Sequence, residues 1–313
     1  SAKDIHSSDF PLPPVLEQHA IVSKLEQLFS ELDKGIESLK TAQQQLKVYR
    51  QSVLKWAFEG KLTGEWRKNQ TLPDASELLA QIQKEREEKA KESGKKLKAV
   101  EPLTEEELSE LAELPEGWRW AKLGDSINHI QSGKSFKCDE RPPREKELGV
   151  VKVSAVTWGE FDENESKTCF SEASLRVEYL IQSGDFLFSR ANTIDLVGAC
   201  VLVKQISKRL MLSDKILRFT FLSHMMPKYS LYYLRSRRGR AEIENYASGN
   251  QVSMRNIGQE GIKRIAIPIC SVQEQAVVIS EVESRLSVCD DLENIISSSL
   301  DHTEALRQSI LKK

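Results

Sequence analysis

The chain has 313 residues, a length typical of about two domains, and its formal net charge is -2. This balance excludes a uniformly basic nucleic-acid coat protein but allows a local basic face. No apolar run reaches the ~18 residues of a membrane span, and the first residues lack the apolar core of a signal peptide. The five cysteines and five histidines show no metal-ligand spacing, so we expect no metal site and reduced thiols in a cytoplasmic protein.

The sequence contains an internal repeat. Residues 15–55 recur as residues 272–312 at a constant offset of 257 without a gap. Asp33 recurs as Asp290, and the run 50–55, Arg-Gln-Ser-Val-Leu-Lys, recurs as 307–312, Arg-Gln-Ser-Ile-Leu-Lys. The chain therefore holds two copies of one helical module with a different domain between them.

Both copies carry the 3.5-residue apolar repeat of a coiled coil. Expected seam positions of the first copy include Leu25, Leu32, Gly35 and Tyr49, and those of the second are weaker. Because an isolated amphipathic helix cannot bury its apolar stripe, the two copies are expected to pack against each other. The intervening chain goes out and returns, which predicts an antiparallel pair.

The segment between residues 71 and 113 is strongly charged and is expected to be a solvated linker with short helices. Thr104 followed by three glutamates is typical of a helix N-cap. Beyond it, runs at 149–156, 185–189, 199–203 and 216–222 predict strands, and 227–246 has helical spacing. These patterns predict an α/β (α+β) fold class, with one mixed domain and two long helices.

Catalytic motifs are missing from the sequence. It contains neither a phosphate-binding GxxxxGK[ST] loop nor a glycine-rich cofactor turn, and a nuclease-like string can be assembled only on the charged connector. We therefore predict no catalytic residues and no cofactor held by this chain.

The positive charge is concentrated in the middle domain, where residues 116–260 carry 22 basic and 18 acidic side chains. Arginine, asparagine and glutamine can make bidentate contacts to base edges, while lysine and serine suit phosphates. Ordinary surface polarity is the competing interpretation for each residue. The candidate DNA-binding residues are Lys134, Ser135, Lys137, Arg190, Asn192, Thr193, Arg235, Arg237, Arg238, Asn250, Gln251, Ser253 and Arg255.

Several motifs, in order, resemble the DNA-specificity (S) subunits of Type I restriction–modification systems. They are the Pro-rich entry at 11–18, Leu-Pro-Glu-Gly-Trp at 114–118, the Gly-Asp-Phe-Leu-Phe-Ser-Arg strand at 184–190, the Ser-Gly-Asn-Gln loop at 248–251 and the exit segment at 262–268. The resemblance covers essentially the whole chain and rests on the order of the motifs rather than on one of them.

The resemblance implies five regions: an exit segment of a missing earlier domain (1–14), a first helical region (15–70), a linker (71–113), a target-recognition domain (114–269) and a second helical region (270–313). It implies a C-terminal portion of a full subunit or a natural half-subunit, which would read one half of a bipartite DNA site. The implied partners are double-stranded DNA, two methyltransferase subunits and, through the complex, restriction subunits. The complex would use S-adenosylmethionine, ATP and magnesium.

The two repeat copies end in matching sequences, 50–55 and 307–312, which suggests a symmetric docking surface for the methyltransferase subunits. Its candidate residues are Arg50, Lys55, Arg307 and Lys312. Two other functions remain open at this point: a stand-alone DNA nuclease or methyltransferase, and a coiled-coil scaffold that binds only protein. The missing catalytic motifs count against the first, and the arginine-rich middle domain counts against the second.

Overall fold

The computed structural model describes residues 12–93, 100–251 and 254–310. The chain divides into two compact units, one of Ser1–Arg50 with Arg285–Lys313 and one of Gln51–Ser284. Within the described ranges, no helix is both long and apolar enough to cross a membrane.

The α-helices are dominated by two long ones near the ends of the chain. Their bounds are α1 Val15–Phe58, α2 Gly64–Lys68, α3 Ala75–Ser93, α4 Glu105–Ser109, α5 Leu123–Ser126, α6 Pro227–Arg235, α7 Arg237–Tyr246, α8 Gln259–Arg264 and α9 Val272–Ile310. The expected helix over 227–246 is divided at Ser236, whose extended backbone ends α6 and whose Oγ accepts the amide of Gly239 to cap α7.

The strands all lie in the second unit. Their bounds are β1 Arg119–Lys122, β2 Ile127–Ser132, β3 Cys138–Asp139, β4 Leu148–Val151, β5 Ser166–Cys169, β6 Phe186–Ser189, β7 Ala191–Asn192, β8 Cys200–Leu202, β9 Arg209–Met211, β10 Ile216–Phe221, β11 Ser248–Gln251, β12 Met254–Asn256 and β13 Ala266–Ile269. The expected strands are present, although the first ends at Val151 and passes into a 3₁₀ turn. The mixed helix and sheet class is confirmed.

The first unit is an antiparallel helix pair. Arg50 of α1 forms ion pairs with Asp290 at 2.7 Å and Glu293 at 2.8 Å on α9, and Arg307 of α9 pairs with Asp33 of α1 at 3.0 Å. The partners on α9 advance along the chain as those on α1 go back, so the helices run in opposite directions. The predicted direction is confirmed.

These ion pairs repeat the symmetry of the sequence. Arg50 and Arg307 are equivalent in the two copies, and so are Asp33 and Asp290, so the Arg50–Asp290 and Arg307–Asp33 pairs are the same contact made twice. The contact relates the two copies by a pseudo-twofold axis across the helix pair.

The seam between the two helices departs from the predicted positions. Gly35 and Tyr49 are exposed, and the neighbouring Ile36 and Arg50 are half-buried instead. Leu25, Leu32, Leu39 and Leu46 are half-buried as expected, so the 3.5-residue spacing is kept and only the second row of the seam is moved on by one residue. Leu292 on α9 is also exposed.

Two four-stranded sheets and two smaller ones form the second unit. The strand orders are β2-β10-β6-β8, β3-β5-β4-β9, β11-β12-β7 and β1-β13. Among the strand pairs of the described residues, only β4–β9 is parallel, and the rest are antiparallel. Leu187 and Val201 of one large sheet pack with Val151 and Leu210 of the other in a continuous apolar cluster.

The connector differs in part from the expected solvated linker. Its first half is α3, in which Ala75, Leu78 and Ile82 are buried. Their spacing of three and four residues places them on one helix face, and burial of that face stabilises a helix whose other side is charged. In the second half, Thr104 caps α4 as expected, in a capping box with Glu107.

Hydrogen bonds anchor the charged side of α3 as well. Glu85 accepts hydrogen bonds from Lys89, from the amide of Ser223 and from the His224 ring. Burial alone would raise the pKa of this carboxyl, but the hydrogen bonds outweigh it and lower the pKa from 4.5 to about 2. The carboxylate of Glu85 is therefore a stable anchor at neutral pH.

A buried carboxylate joins three further segments of the second unit. Glu274, only 2% exposed, accepts hydrogen bonds from Thr63 Oγ1 at 2.7 Å, Arg67 Nε at 2.9 Å and Trp118 Nε1 at 2.8 Å. The Arg67 guanidinium also lies 5.5 Å from the Trp118 ring centroid. Glu274 therefore fixes the start of α9 to α2 and to the residue that precedes β1.

Candidate nucleic-acid interface

The four-stranded sheet β2-β10-β6-β8, which we call the central sheet, has polar segments that follow its strands at one end. Ser132 at the end of β2 pairs with Leu217, and Ser189 at the end of β6 pairs with Ile216, both at the start of β10. The strands β2 and β6 flank β10 on either side, so their ends lie about 10 Å apart. Segments 133–137 and 190–193 therefore leave the sheet where these neighbouring strands end. We call this end of the sheet the loop edge.

The second predicted polar loop joins the first through hydrogen bonds. β12 pairs with β7, with Arg255 opposite Asn192 and Asn256 opposite Ala191, and β11 pairs with β12. The amide of Ile257 also donates to the Arg190 carbonyl at 2.9 Å. Two loops that are about sixty residues apart in the sequence thus form one small sheet at the loop edge.

Arg190 is the best-placed candidate for reading a base. Its side chain is half-buried, and its Nε donates to Asn256 Oδ1 at 3.4 Å. A guanidinium has five donor N–H groups, so this contact leaves its terminal nitrogens able to make a bidentate contact. Asn192 instead caps its own turn, since its Oδ1 accepts the amide of Thr193 at 2.9 Å.

Arg255 stabilises the small sheet from within. Its guanidinium donates to the carbonyl oxygens of Ala247, at 2.7 Å, and of Gly249. Gly249 has a φ of 115°, which favours glycine, so the arginine holds a tight backbone bend in place. Its backbone contacts favour a supporting role over a base contact. Ser253 and the side chains of Asn250 and Gln251 lie outside the described residues.

The arginine cluster separates into supporting and exposed residues. Arg235 donates to the carbonyls of Gly159 at 2.6 Å and Cys200 at 2.9 Å, which favours a supporting role. Arg238 pairs with Glu242 at 2.6 Å on the same helix, while Arg237 is exposed. Arg237 is therefore the best-placed member of the cluster for a phosphate contact.

A neighbouring arginine fixes this helix to the loop that follows β7. Arg240 donates to the carbonyls of Val197 and Ile194, and it stacks over the Trp158 ring at 4.4 Å. Burial lowers the pKa of this guanidinium below its ordinary value, but it remains a cation. The contact places the start of α7 beside segment 193–198.

The basic loop at 133–137 is open to solvent. Lys134, Ser135 and Lys137 are exposed, whereas Phe136 packs against an apolar cluster that includes Cys169. A side chain at Gly133 would lie 2.1 Å from the Leu212 carbonyl oxygen, so glycine is required for this close approach. The loop thus has a fixed start and an exposed basic part.

Two residues of the loop edge were not among the candidates predicted from the sequence. Lys215, half-buried, stands immediately before β10, and its carbonyl accepts the amide of Arg190 at 3.0 Å. Asn256 contacts the Arg190 side chain. The polar run Ser213-Asp214-Lys215 before an apolar strand is the signal that could have indicated the first of them.

The docking candidates lie on the long helices. Arg50 is one-quarter exposed and is engaged by Asp290 and Glu293, and Arg307 contacts Asp33 and the Phe29 ring. Lys55 is 67% exposed and lies 3.8 Å from Glu59. Lys312 lies outside the described residues. Lys55 is therefore the candidate best placed to meet a partner.

The described ranges contain no group of three or more histidine, cysteine, aspartate or glutamate side chains that could hold a metal ion.

The fold matches solved structures from Type I restriction–modification systems. Over its whole length the chain superposes, with a TM-score of 0.64 and 17% identity, on 62% of a chain from a structure on complex assembly and conformational transition of the type I R-M system. It also superposes, with a TM-score of 0.54 and 17% identity, on 61% of the HsdS subunit from Thermoanaerobacter tengcongensis. At these identities the likeness concerns the fold.

Curated relatives give the same class. The chain is 32% identical over 279 residues, or 88% of its length, to the Type I restriction enzyme EcoEI specificity subunit of Escherichia coli, covering 46% of that protein. It is 27% identical over 97% of its length to the EcoKI specificity subunit of Escherichia coli strain K12, covering 56% of it. No family model matches the chain.

The chain is thus homologous, over most of its length, to the specificity subunits of Type I restriction enzymes. It spans about half the length of the curated relatives that it matches.

Proposed function

We propose that the chain acts as a non-catalytic, sequence-specific DNA-recognition subunit of a Type I restriction–modification enzyme. The observation that carries the proposal is the convergence of segments 133–137, 190–193, 248–251 and 254–256 at the loop edge. Homology to specificity subunits supports it. The recognition domain spans 114–269 and reads one half of a bipartite site, while the helical regions 15–70 and 270–313 dock the partner subunits.

Partner subunits supply the chemistry in this proposal. Two methyltransferase subunits bind the helical regions, restriction subunits join through the complex, and S-adenosylmethionine, ATP and magnesium are held by those partners in the cytoplasm. The repeated contact between the two helix copies supports two equivalent docking positions. Charge reversal at Lys55 should weaken methyltransferase binding, and reversal at the similarly exposed Lys204 is the control. Equal binding by both variants would remove Lys55 from the docking surface.

Selection of bound sequences from random DNA by the chain assembled with its methyltransferase subunits tests recognition directly. Enrichment of a defined half-site is the expected result. Failure to enrich any sequence, with binding only to protein, would favour a coiled-coil scaffold instead. Methyl transfer by the purified chain alone would indicate a stand-alone enzyme.

DNA binding at the loop edge can be tested against a matched control residue in the same domain. β8 runs antiparallel to β6, so Lys204, which follows β8, lies at the opposite end of the central sheet from Ser189. Lys134→Ala and Lys204→Ala each remove one exposed cation. Only Lys134→Ala should lower the slope of log K against log salt, by about one, if Lys134 meets a phosphate. Equal slopes for both variants would place the DNA elsewhere.

Base reading is tested with Arg190. Arg190→Ala should cost ~1–3 kcal/mol on the selected half-site and much less on random DNA, because base contacts specify while phosphate contacts position. Arg237→Ala should weaken binding to both DNAs alike. Equal losses on both DNAs for Arg190→Ala would show that this side chain does not read a base.

A further inference from the structure

Two cysteines face each other across a pair of strands at the edge of the second large sheet. Cys138 of β3 is the direct register partner of Cys169 of β5, and the strands are antiparallel. Directly opposed residues of such a pair have side chains on the same face and Cα atoms about 4.5–5.5 Å apart. This separation falls within the range that a disulfide bond spans.

The sulfur atoms are already in contact. The two Sγ atoms are 3.7 Å apart, and both cysteines are free thiols. The other three cysteines, Cys200, Cys270 and Cys289, are buried at separate places in the chain and serve as internal controls. The two Sγ atoms must therefore approach each other by about 1.7 Å for a bond to form.

The two thiols differ in access. Cys138 is half-buried, whereas Cys169 is 8% exposed. Burial, followed by its contact with Cys138, raises the pKa of Cys169 to about 12. A reagent from solution therefore meets Cys138 first, and Cys169 is placed to react in the second step.

We infer that Cys138 and Cys169 are a modification site, a cross-strand dithiol that forms a reversible disulfide by exchange with a low-molecular-weight disulfide. The thiolate of Cys138 attacks one sulfur of the reagent, forms a mixed disulfide and releases one small thiol. The thiolate of Cys169 then attacks Cys138 Sγ and releases the second small thiol. Each thiolate has given up its proton to solvent and each released thiolate takes one up, so the protein dithiol is oxidised as the reagent is reduced to two thiols.

The bond would fix a weakly held part of the sheet. β3 has only two residues, with Cys138 opposite Cys169 and Asp139 opposite Thr168. The exposed basic segment with Lys134 and Lys137 comes just before it. A disulfide would make this edge contact covalent and restrict the segment from its C-terminal side. Any effect on DNA binding rests on the proposed function, whereas bond formation does not.

Oxidation of the full chain with glutathione disulfide tests the inference without DNA. Non-reducing digestion and mass spectrometry should find the peptide that contains Cys138 linked to the peptide that contains Cys169, with the loss of two free thiols per chain, and reduction should reverse both changes. A stable glutathione adduct on wild-type Cys138, a link between other cysteines, or no reaction of the pair would each overturn the inference.

Serine variants separate the two steps. Cys169→Ser should stop at one glutathione adduct on Cys138. Cys138→Ser should lose the first exchange with glutathione disulfide. Cys200→Ser, the matched control, should oxidise as the wild type does. Formation of the normal amount of intramolecular disulfide in Cys169→Ser would contradict the assignment of the second thiol.

Hydrogen exchange tests the restriction of the basic segment. Amide exchange at 134–139 should slow at least tenfold in the oxidised chain, while exchange at the loop 190–193 should not change. Equal exchange rates at 134–139 in the oxidised and reduced chains would refute the restriction. Because the readouts are chemical and local, loss of DNA recognition would leave them intact, so failure of this inference and failure of the proposed function can be told apart.

Discussion

Removal of the Glu274 carboxylate should destabilise the second unit by about 3–5 kcal/mol, the usual cost of taking one partner from a buried ion pair. In Glu274→Ala, Arg67 loses its carboxylate, and Trp118 Nε1 and Thr63 Oγ1 lose an acceptor. Arg67 is 20% exposed and can recover some hydration, so the lower half of that range is expected.

Glu274→Gln refines the same prediction. The glutamine oxygen can still accept from Thr63 and Arg67, but its amide would set an N–H against the N–H of Trp118. One buried donor without an acceptor costs about 1–3 kcal/mol, so this variant should fall between wild type and Glu274→Ala.

The repeat supplies a matched control for both variants. Glu17 is the equivalent residue of the first copy and is exposed, so Glu17→Ala should change the unfolding free energy by less than about 0.5 kcal/mol. Urea unfolding followed by circular dichroism measures all of these variants. A loss in Glu274→Ala no larger than that in Glu17→Ala would refute the reasoning.

Further changes test the helices. Gly35→Ala should raise the melting temperature, because a Cβ there has nothing within 4 Å and alanine favours a helix over glycine by up to about 1 kcal/mol. Arg50→Glu should lower the melting temperature of the helix pair through repulsion by Asp290, while Lys55→Glu should leave it nearly unchanged. Glu85 has a folded pKa of about 2 against an ordinary 4.5, so its stabilisation is present above pH 4.5 and lost as the pH falls toward 2. The stability difference between wild type and Glu85→Gln, measured by urea unfolding, should narrow over that window, and a constant difference would contradict the assignment.

The two long helices, the capped helix after Thr104 and four of the thirteen described strands could be predicted from the sequence because each has a local cause. Two gapless copies of a seven-residue apolar pattern predict paired helices, and Thr104 before three glutamates predicts a capped helix, which is observed. Which side chains of each long helix face the partner helix could not be predicted as well. Whether Gly35 or Ile36 faces the partner helix depends on the rotation of each helix about its own axis, which only the paired structure sets.

The candidate interface shows the same division. The polar composition of 190–193 and 248–256 indicated two loops, but only strand pairing shows that 191–192, 248–251 and 254–256 form one sheet. The sequence could not separate Arg235 from Arg237, since both stand in one basic run. The first meets the carbonyls of Gly159 and Cys200, which are distant in the sequence, and the second does not.

The repeated ion pair has a consequence for self-assembly. Because each copy carries both the arginine and the aspartate, two first-copy helices from different molecules could also align antiparallel, with Arg50 of each opposite Asp33 of the other. Besides the connection of both helices in one chain, which raises their effective concentration, only positions at which the copies differ can favour the pairing within one molecule. Glu293 is such a position, since it gives Arg50 a second carboxylate where the first copy has Ile36. The repeat therefore makes the same contact available to two different pairings, and the difference between Ile36 and Glu293 bears on which helix each copy pairs with.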